Sequence, residues 1–283
     1  MDSPSDPSSH RICFLLGIDR RSGTNHLYQL LRLHPHCLGL APIWEDFLLH
    51  HSKHLQTYVE DVFQSWNPSW EIDRLVGSPS DLLIELGKTL EGFLLRQASI
   101  PSDRPANPYG STPLRYVTKT PSVEGLNRFF SIFPKAIPIV LIRDGRAVVE
   151  SGMRSFGWDF VKATQRWKHR ARIVLAFQDT LKNTSSPGII LRFEDLITDE
   201  VSSLTRIFQH IAVDPQLYDF QQSRELKVLG SSQTAFSEGE LHWRRTDKPA
   251  EYSPLRRFEH WTPEQHLQFN AIAGEELRLL GYL

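Results

Sequence analysis

The chain has 283 residues, 40% of them hydrophobic, with 32 Lys and Arg against 33 Asp and Glu. That length holds one large domain or two small ones around an ordinary globular core. The balanced charge excludes a global field for gripping nucleic acid, so any anion site must be local.

In chain order, residues 1–10 are polar, rich in Pro and Ser, and read as a disordered tail. They lack the basic and apolar regions of a signal peptide. No stretch reaches the roughly 18 apolar residues of a membrane span. Cys13 and Cys37 suggest neither a disulfide scaffold nor a metal knuckle, so the expected setting is reducing and cytoplasmic. Ile12-Cys13-Phe14-Leu15-Leu16 is an unbroken apolar run, as expected of a strand buried on both faces. Gly17 and Gly23 bracket a turn, and Leu27, Leu30 and Leu31 then recur at helical spacing before His34-Pro35. The amides opening that helix, its dipole and the guanidiniums of Arg20 and Arg21 converge on one oxyanion. The turn has phosphate-loop geometry without the Gly-Lys-Ser/Thr ending of an NTPase.

Further strand signals follow at 37–41, 114–118, 137–142 and 188–193, each leading into a helical pattern. Strand–helix repetition predicts an α/β fold, three-layered and P-loop-like, with a mostly parallel sheet between helices. Helices are expected over 43–66, over 158–182 with Phe160, Trp167, Val174 and Leu181 inward, and from the Thr262-Pro263-Glu264-Gln265 start to Gly281. Residues 99–113 read as a loop insertion and 230–257 as a locally basic, lid-like loop, so residues 11–283 form a single domain.

Arg143 falls where the 137–142 strand ends, and Ser151 lies eight residues on, about two helical turns, able to point back. An arginine and a hydroxyl so placed suit a phosphate monoester. A local reading competes, in which Arg143 and Asp144 pair, Asp144 caps the helix and Ser151 is solvated.

The Arg-Ser-Gly-Thr turn followed by Ile142-Arg143-Asp144-Gly145 through Ser151 resembles the sulfotransferases that use 3′-phosphoadenosine-5′-phosphosulfate (PAPS), nearest to the branch with the tyrosylprotein and bacterial small-molecule enzymes. Lys119-Thr120-Pro121, Arg192-Phe193-Glu194-Asp195-Leu196 and Trp243-Arg244-Arg245 extend it over most of the chain. The resemblance implies that Arg21, Ser22, Gly23, Thr24 and Asn25 wrap the 5′-phosphosulfate, with Arg20 a departure from the usual single arginine after a proline. It assigns the 3′-phosphate to Arg143 and Ser151, an adenosine contact to Phe193, and a closing lid to Trp243, Arg244 and Arg245, with Ser231 or Ser232 upstream. It gives Lys119 the bridging oxygen, where an ammonium neutralises charge on the leaving phosphate together with Arg21.

A base must also take the acceptor's proton. Glu45 occupies the neighbourhood of the branch's catalytic glutamate, about three residues further from Arg21 than usual. Asp46 and the histidines His50 and His51 are rivals, while His54 and His34 read as structural. The expected reaction is sulfuryl transfer from PAPS to the hydroxyl of a small-molecule acceptor, releasing adenosine 3′,5′-bisphosphate (PAP), with no metal and no nucleic-acid partner. Two alternatives stay open: a P-loop small-molecule kinase, and a non-catalytic nucleotide-binding module.

Overall fold

The computed structural model describes residues 11–40, 45–71, 74, 77–97, 114–184, 187–231, 246–248 and 252–283. Five strands, β1 (Arg11–Gly17), β2 (Cys37–Gly39), β3 (Arg115–Thr120), β4 (Ile137–Ile142) and β5 (Ile189–Arg192), form one parallel sheet in the order β2-β3-β1-β4-β5. Chain order reverses about β1, which lies between β3 and β4, so the turn leaving β1 opens at the sheet's topological switch point.

The unbroken apolar runs have the expected cause. Along β1, Phe14 and Leu16 face one core and Cys13 and Leu15 the other, all fully buried. The first core is closed by α2 (Ser52–Ser65), α3 (Pro79–Arg96), α4 (Phe129–Ile132), α5 (Gly145–Phe156), α6 (Phe160–Asn183) and α10 (Pro263–Leu279). The second is closed by α1 (Thr24–Leu31), α7 (Phe193–Thr198) and α8 (Glu200–His210); α9 (Phe220–Arg224) follows α8 in the chain. Trp167 and Val174 of α6 are fully buried, with Phe160 and Leu181 packed against the same core. The capping box before α10 forms: the Thr262 hydroxyl accepts from the Gln265 amide, and the Gln265 side chain accepts from the Thr262 amide at 2.9 Å.

Two expectations change. The helix expected over 43–66 begins only at Ser52. Residues 45–51 instead lie as a strap across the end of β3, with Phe47 at φ 52°. Its amides are taken elsewhere: Asp46 N–H donates to Lys119 O (3.1 Å) and Phe47 N–H to Thr120 Oγ1 (3.0 Å). The second change is α3, which has no counterpart among the sequence expectations although Ser78, Pro79 and Asp81 form a complete capping box. The tail (1–10), the loop insertion (99–113) and most of the lid-like segment lie outside the described residues.

Candidate active site

The turn after β1 is braced from within. The buried Ser22 hydroxyl donates to Asp19 O and accepts the Asp19 amide at 3.0 Å, so it is committed to the loop itself. The Asp19 carboxylate, 2% exposed, is held by Arg166 at 2.9 Å, by Arg170, and by the Arg20 amide at 2.7 Å. Gly23 caps α1 at φ 94°, and a Cβ there would meet the Phe193 ring at 2.3 Å. Only glycine fits both the left-handed backbone and that contact. Beyond it, the amides of Gly23, Thr24 and Asn25 meet no acceptor among the described residues, leaving the open start of a helix for an anion.

The second feature is a cluster of arginines at the ends of β1 and β4. Arg21, in the left-handed region at φ 73°, donates from Nε to Ser151 Oγ at 3.0 Å. Arg257 reaches the same oxygen at 3.4 Å and Ser231 Oγ at 3.2 Å. Arg143 donates to Arg21 O at 2.6 Å and to Pro254 O, with its guanidinium 4.6 Å from the Phe193 ring centroid. Neither Arg21 nor Arg143 has an ion pair among the described residues, and Arg143 Nε is buried without an acceptor. Burial, reinforced by the charge of Arg257, pulls Arg21 down to about 10 and Arg143 to about 9. Cations crowded this way call for an anion. The local reading holds in one part and fails in two: Asp144 does cap α5, accepting the Arg146 amide at 2.9 Å, but Arg146, not Arg143, pairs with Asp144 at 2.7 Å, and Ser151 is buried rather than solvated.

Between the two features lies a cleft of about 360 Å³, lined by Asn25, His26, Gln29, Phe193, Leu196 and Tyr252 among others. Asn25 Oδ1 and Gln29 Oε1 face burial with no donor among the described residues. His26 is held down to about 4 by burial and then by Lys248. Its neutral form therefore belongs to the fold. The unfolded chain binds that proton below about 6.5 and the folded chain only near 4, so stability falls as pH drops through this window. Urea unfolding at pH 7 and pH 4.5 is expected to show a loss of order 2–3 kcal/mol attributable to this group, and His26→Gln should flatten that part of the curve.

Lys119, on β3 beside β1, has a fully buried side chain whose Nζ sits 3.1 Å from Glu45 Oε1. Burial draws its pKa below the usual lysine range, against the pull of Glu45. Asp46, the rival base, is engaged by the Thr118 hydroxyl (2.7 Å) and the Leu48 amide (2.8 Å), and burial raises its pKa. His50 Nδ1 lies 2.9 Å from Ser122 Oγ and faces a second cleft, as does His51. The Arg20 side chain lines that second cleft too, away from the first. His54 is on α2, and His34 Nδ1 accepts the His36 amide while Nε2 donates to Asp214 O at 2.9 Å. Ser232, Trp243, Arg244 and Arg245 lie outside the described residues. Arg257 was not singled out from the sequence; its only signal was the basic character of the segment that it ends.

Sequence and structure comparisons place the chain. The family model described as "Sulfotransferase family" matches residues 14–216. The chain belongs to the sulfotransferase family. It is thus an enzyme of sulfuryl transfer. No curated protein matches its sequence. Among solved structures it is similar to the sulfotransferase domain of the Synechococcus PCC 7002 olefin synthase, at 22% identity and TM-score 0.45 over 75% of this chain and 77% of that one. It is also similar to a sulfotransferase from Alicyclobacillus acidocaldarius (11%, TM-score 0.49, 95% and 93% covered) and to a mouse sulfotransferase complexed with PAP (13%, 0.44, 95% and 85%). The family match, not these likenesses, carries the assignment. Among the described residues of this sulfotransferase, no helix is long and apolar enough to cross a membrane, and no cluster of His, Cys, Asp and Glu gathers as a metal site.

Proposed function

We propose that this sulfotransferase takes its sulfuryl group from PAPS and delivers it to a hydroxyl of a small-molecule acceptor. The observation that carries this reading is the spacing of two anion stations along adjoining strand ends: the amides opening α1, and the cluster of Arg21, Arg143, Ser151 and Arg257. A nucleotide charged at both its 5′ and 3′ ends matches two stations with a partly apolar cleft between them. The unmet oxygens of Asn25 and Gln29 fit the amine and hydroxyl donors of a nucleoside.

Bound PAPS supplies the activated sulfuryl group. The residues of the chain do the rest. The amides of Gly23, Thr24 and Asn25 hold the 5′ end, while the Arg21 guanidinium, turned onto Ser151, joins Arg143 and Arg257 at the 3′-phosphate. Phe193 supports the Arg143 plane and closes against Gly23. Glu45 accepts the acceptor's proton as the oxygen–sulfur bond forms. Lys119 meets the charge left on the departing phosphate oxygen. In the present geometry these two groups rest on each other at 3.1 Å, so both side chains are held in place before the acceptor arrives. The reaction is an in-line displacement by analogy with phosphoryl transfer, so positioning and charge carry most of the rate.

Calorimetry tests the donor. PAP is expected to bind tightly and raise the melting temperature by mass action, at 100-fold excess over Kd by roughly 2.7 kcal/mol of stability. ATP with magnesium should bind much more weakly; the opposite order would sink the reading. A kinase reading finds no support: Thr24 and Asn25 follow Gly23 where a P-loop carries Lys and then Ser or Thr.

A further inference from the structure

The second cleft, about 430 Å³, is built from the far side of the same turn and the same strap. Its walls Phe47 and Pro121 each stand two residues beyond Glu45 and Lys119. The strap is stitched to β3 by the bonds of Asp46 and Phe47 described above, so the cleft is walled by the same strap and strand end that carry Glu45 and Lys119. Its volume suits a small molecule.

Its charge is unbalanced. Arg166 and Arg170 share the single buried carboxylate of Asp19, and Arg170 also reaches Glu124 at 3.4 Å. Arg20, exposed at the mouth, has no carboxylate partner among the described residues; its guanidinium lies 5.9 Å from the Phe156 ring centroid. Arg166 stacks on Trp158 at 4.0 Å, and its Nη2 is buried with no acceptor among the described residues. Arg20 and Arg166 thus line one cleft, Arg20 without a carboxylate partner among the described residues and Arg166 with one donor unmet, and the cleft also presents aromatic side chains. Arg20, the residue in the turn that the donor site does not use, acquires a role.

We propose that the acceptor is an anionic hydroxyl compound: its carboxylate or equivalent anion docks on Arg20 and Arg166, its ring body lies along Phe47 and Trp158, and its hydroxyl reaches Glu45. Guanidinium forks pair with planar anions through paired, charge-assisted bonds. A neutral acceptor leaves those donors unmet, and a cationic one is repelled. That the bound molecule is the acceptor rests on the sulfuryl-transfer reading; the anion preference of the cleft does not.

The test is calorimetric, with three phenols that share one body: 4-hydroxyphenylacetate, 4-hydroxyphenylacetamide and tyramine, each titrated with and without saturating PAP. The acid is expected to bind about tenfold or more tightly than the amide, and tyramine least tightly. In Arg20→Ala the acid-to-amide ratio should fall towards one, and in Arg20→Glu tyramine should overtake the acid. Because each ratio is taken within one variant, a general loss of affinity cancels. Equal binding of acid and amide, failure of the acid to bind, or a ratio that survives Arg20→Glu overturns the proposal. Failure of PAP to bind would instead remove the PAPS reading, while the acid preference in its absence would still report on the cleft.

Discussion

Glu45→Gln is expected to lower turnover by about 10²–10⁴-fold, the range for losing a positioned general base, while PAP still binds. The assay is transfer of labelled sulfate from PAPS to the best acceptor found in a panel of hydroxyl compounds. The physical basis is the pairing of Glu45 with a lysine whose side chain is fully buried. Glutamine keeps the size of the side chain but can neither take a proton nor balance Lys119. The Lys119 pKa, already lowered by burial, should therefore fall further, and some stability should go with it because a buried ammonium loses its counter-charge. Retained turnover would place the base elsewhere. Asp46 is the poorer substitute, since Thr118 and Leu48 already occupy its oxygens. His50 would then be the group to replace.

Arg143→Ala is expected to weaken PAP binding by about 1.5–3 kcal/mol, the usual loss for one charge-assisted contact, or roughly 10–100-fold in Kd. The effect belongs at the upper end because Arg143 does two things. It presents charge to the 3′-phosphate station, and through Arg21 O and Pro254 O it ties the turn after β1 to the segment carrying Arg257. Losing it also relieves the repulsion among the arginines, so the salt dependence of PAP binding should become shallower. Unchanged affinity by calorimetry would mean that the 3′-phosphate sits elsewhere.

The parts of the site visible in sequence were those whose geometry is local. The turn from Gly17 to Asn25 is continuous chain, and its glycine, arginine and helix start imply an anion whatever surrounds them. Arg143 and Ser151 could be named together for the same reason, since a strand end and the helix after it lie within a few residues, but the competing pairing of Arg143 with Asp144 stayed open until the fold gave Asp144 to Arg146. The helix expected from 43 failed because its first residues found better partners far away in sequence. Asp46 carries the clearest reason, since its amide and its carboxylate are both satisfied by β3. Arg257 has no signature beyond the basic character of its segment; it matters because that segment folds back over Ser151.

By itself the amino-acid order determined an α/β chain with strands buried on both faces, a phosphate-type turn lacking the NTPase lysine, and an arginine placed at a strand end. Apolar runs, glycines and capping residues act on their own neighbours, so those features needed nothing distant. Tertiary structure decided that Arg21 turns onto Ser151, that Arg20 faces a different cleft, and that Glu45 rests on Lys119. Each of these depends on which strand ends lie side by side and on which charges burial leaves unbalanced, and only the packed sheet sets both.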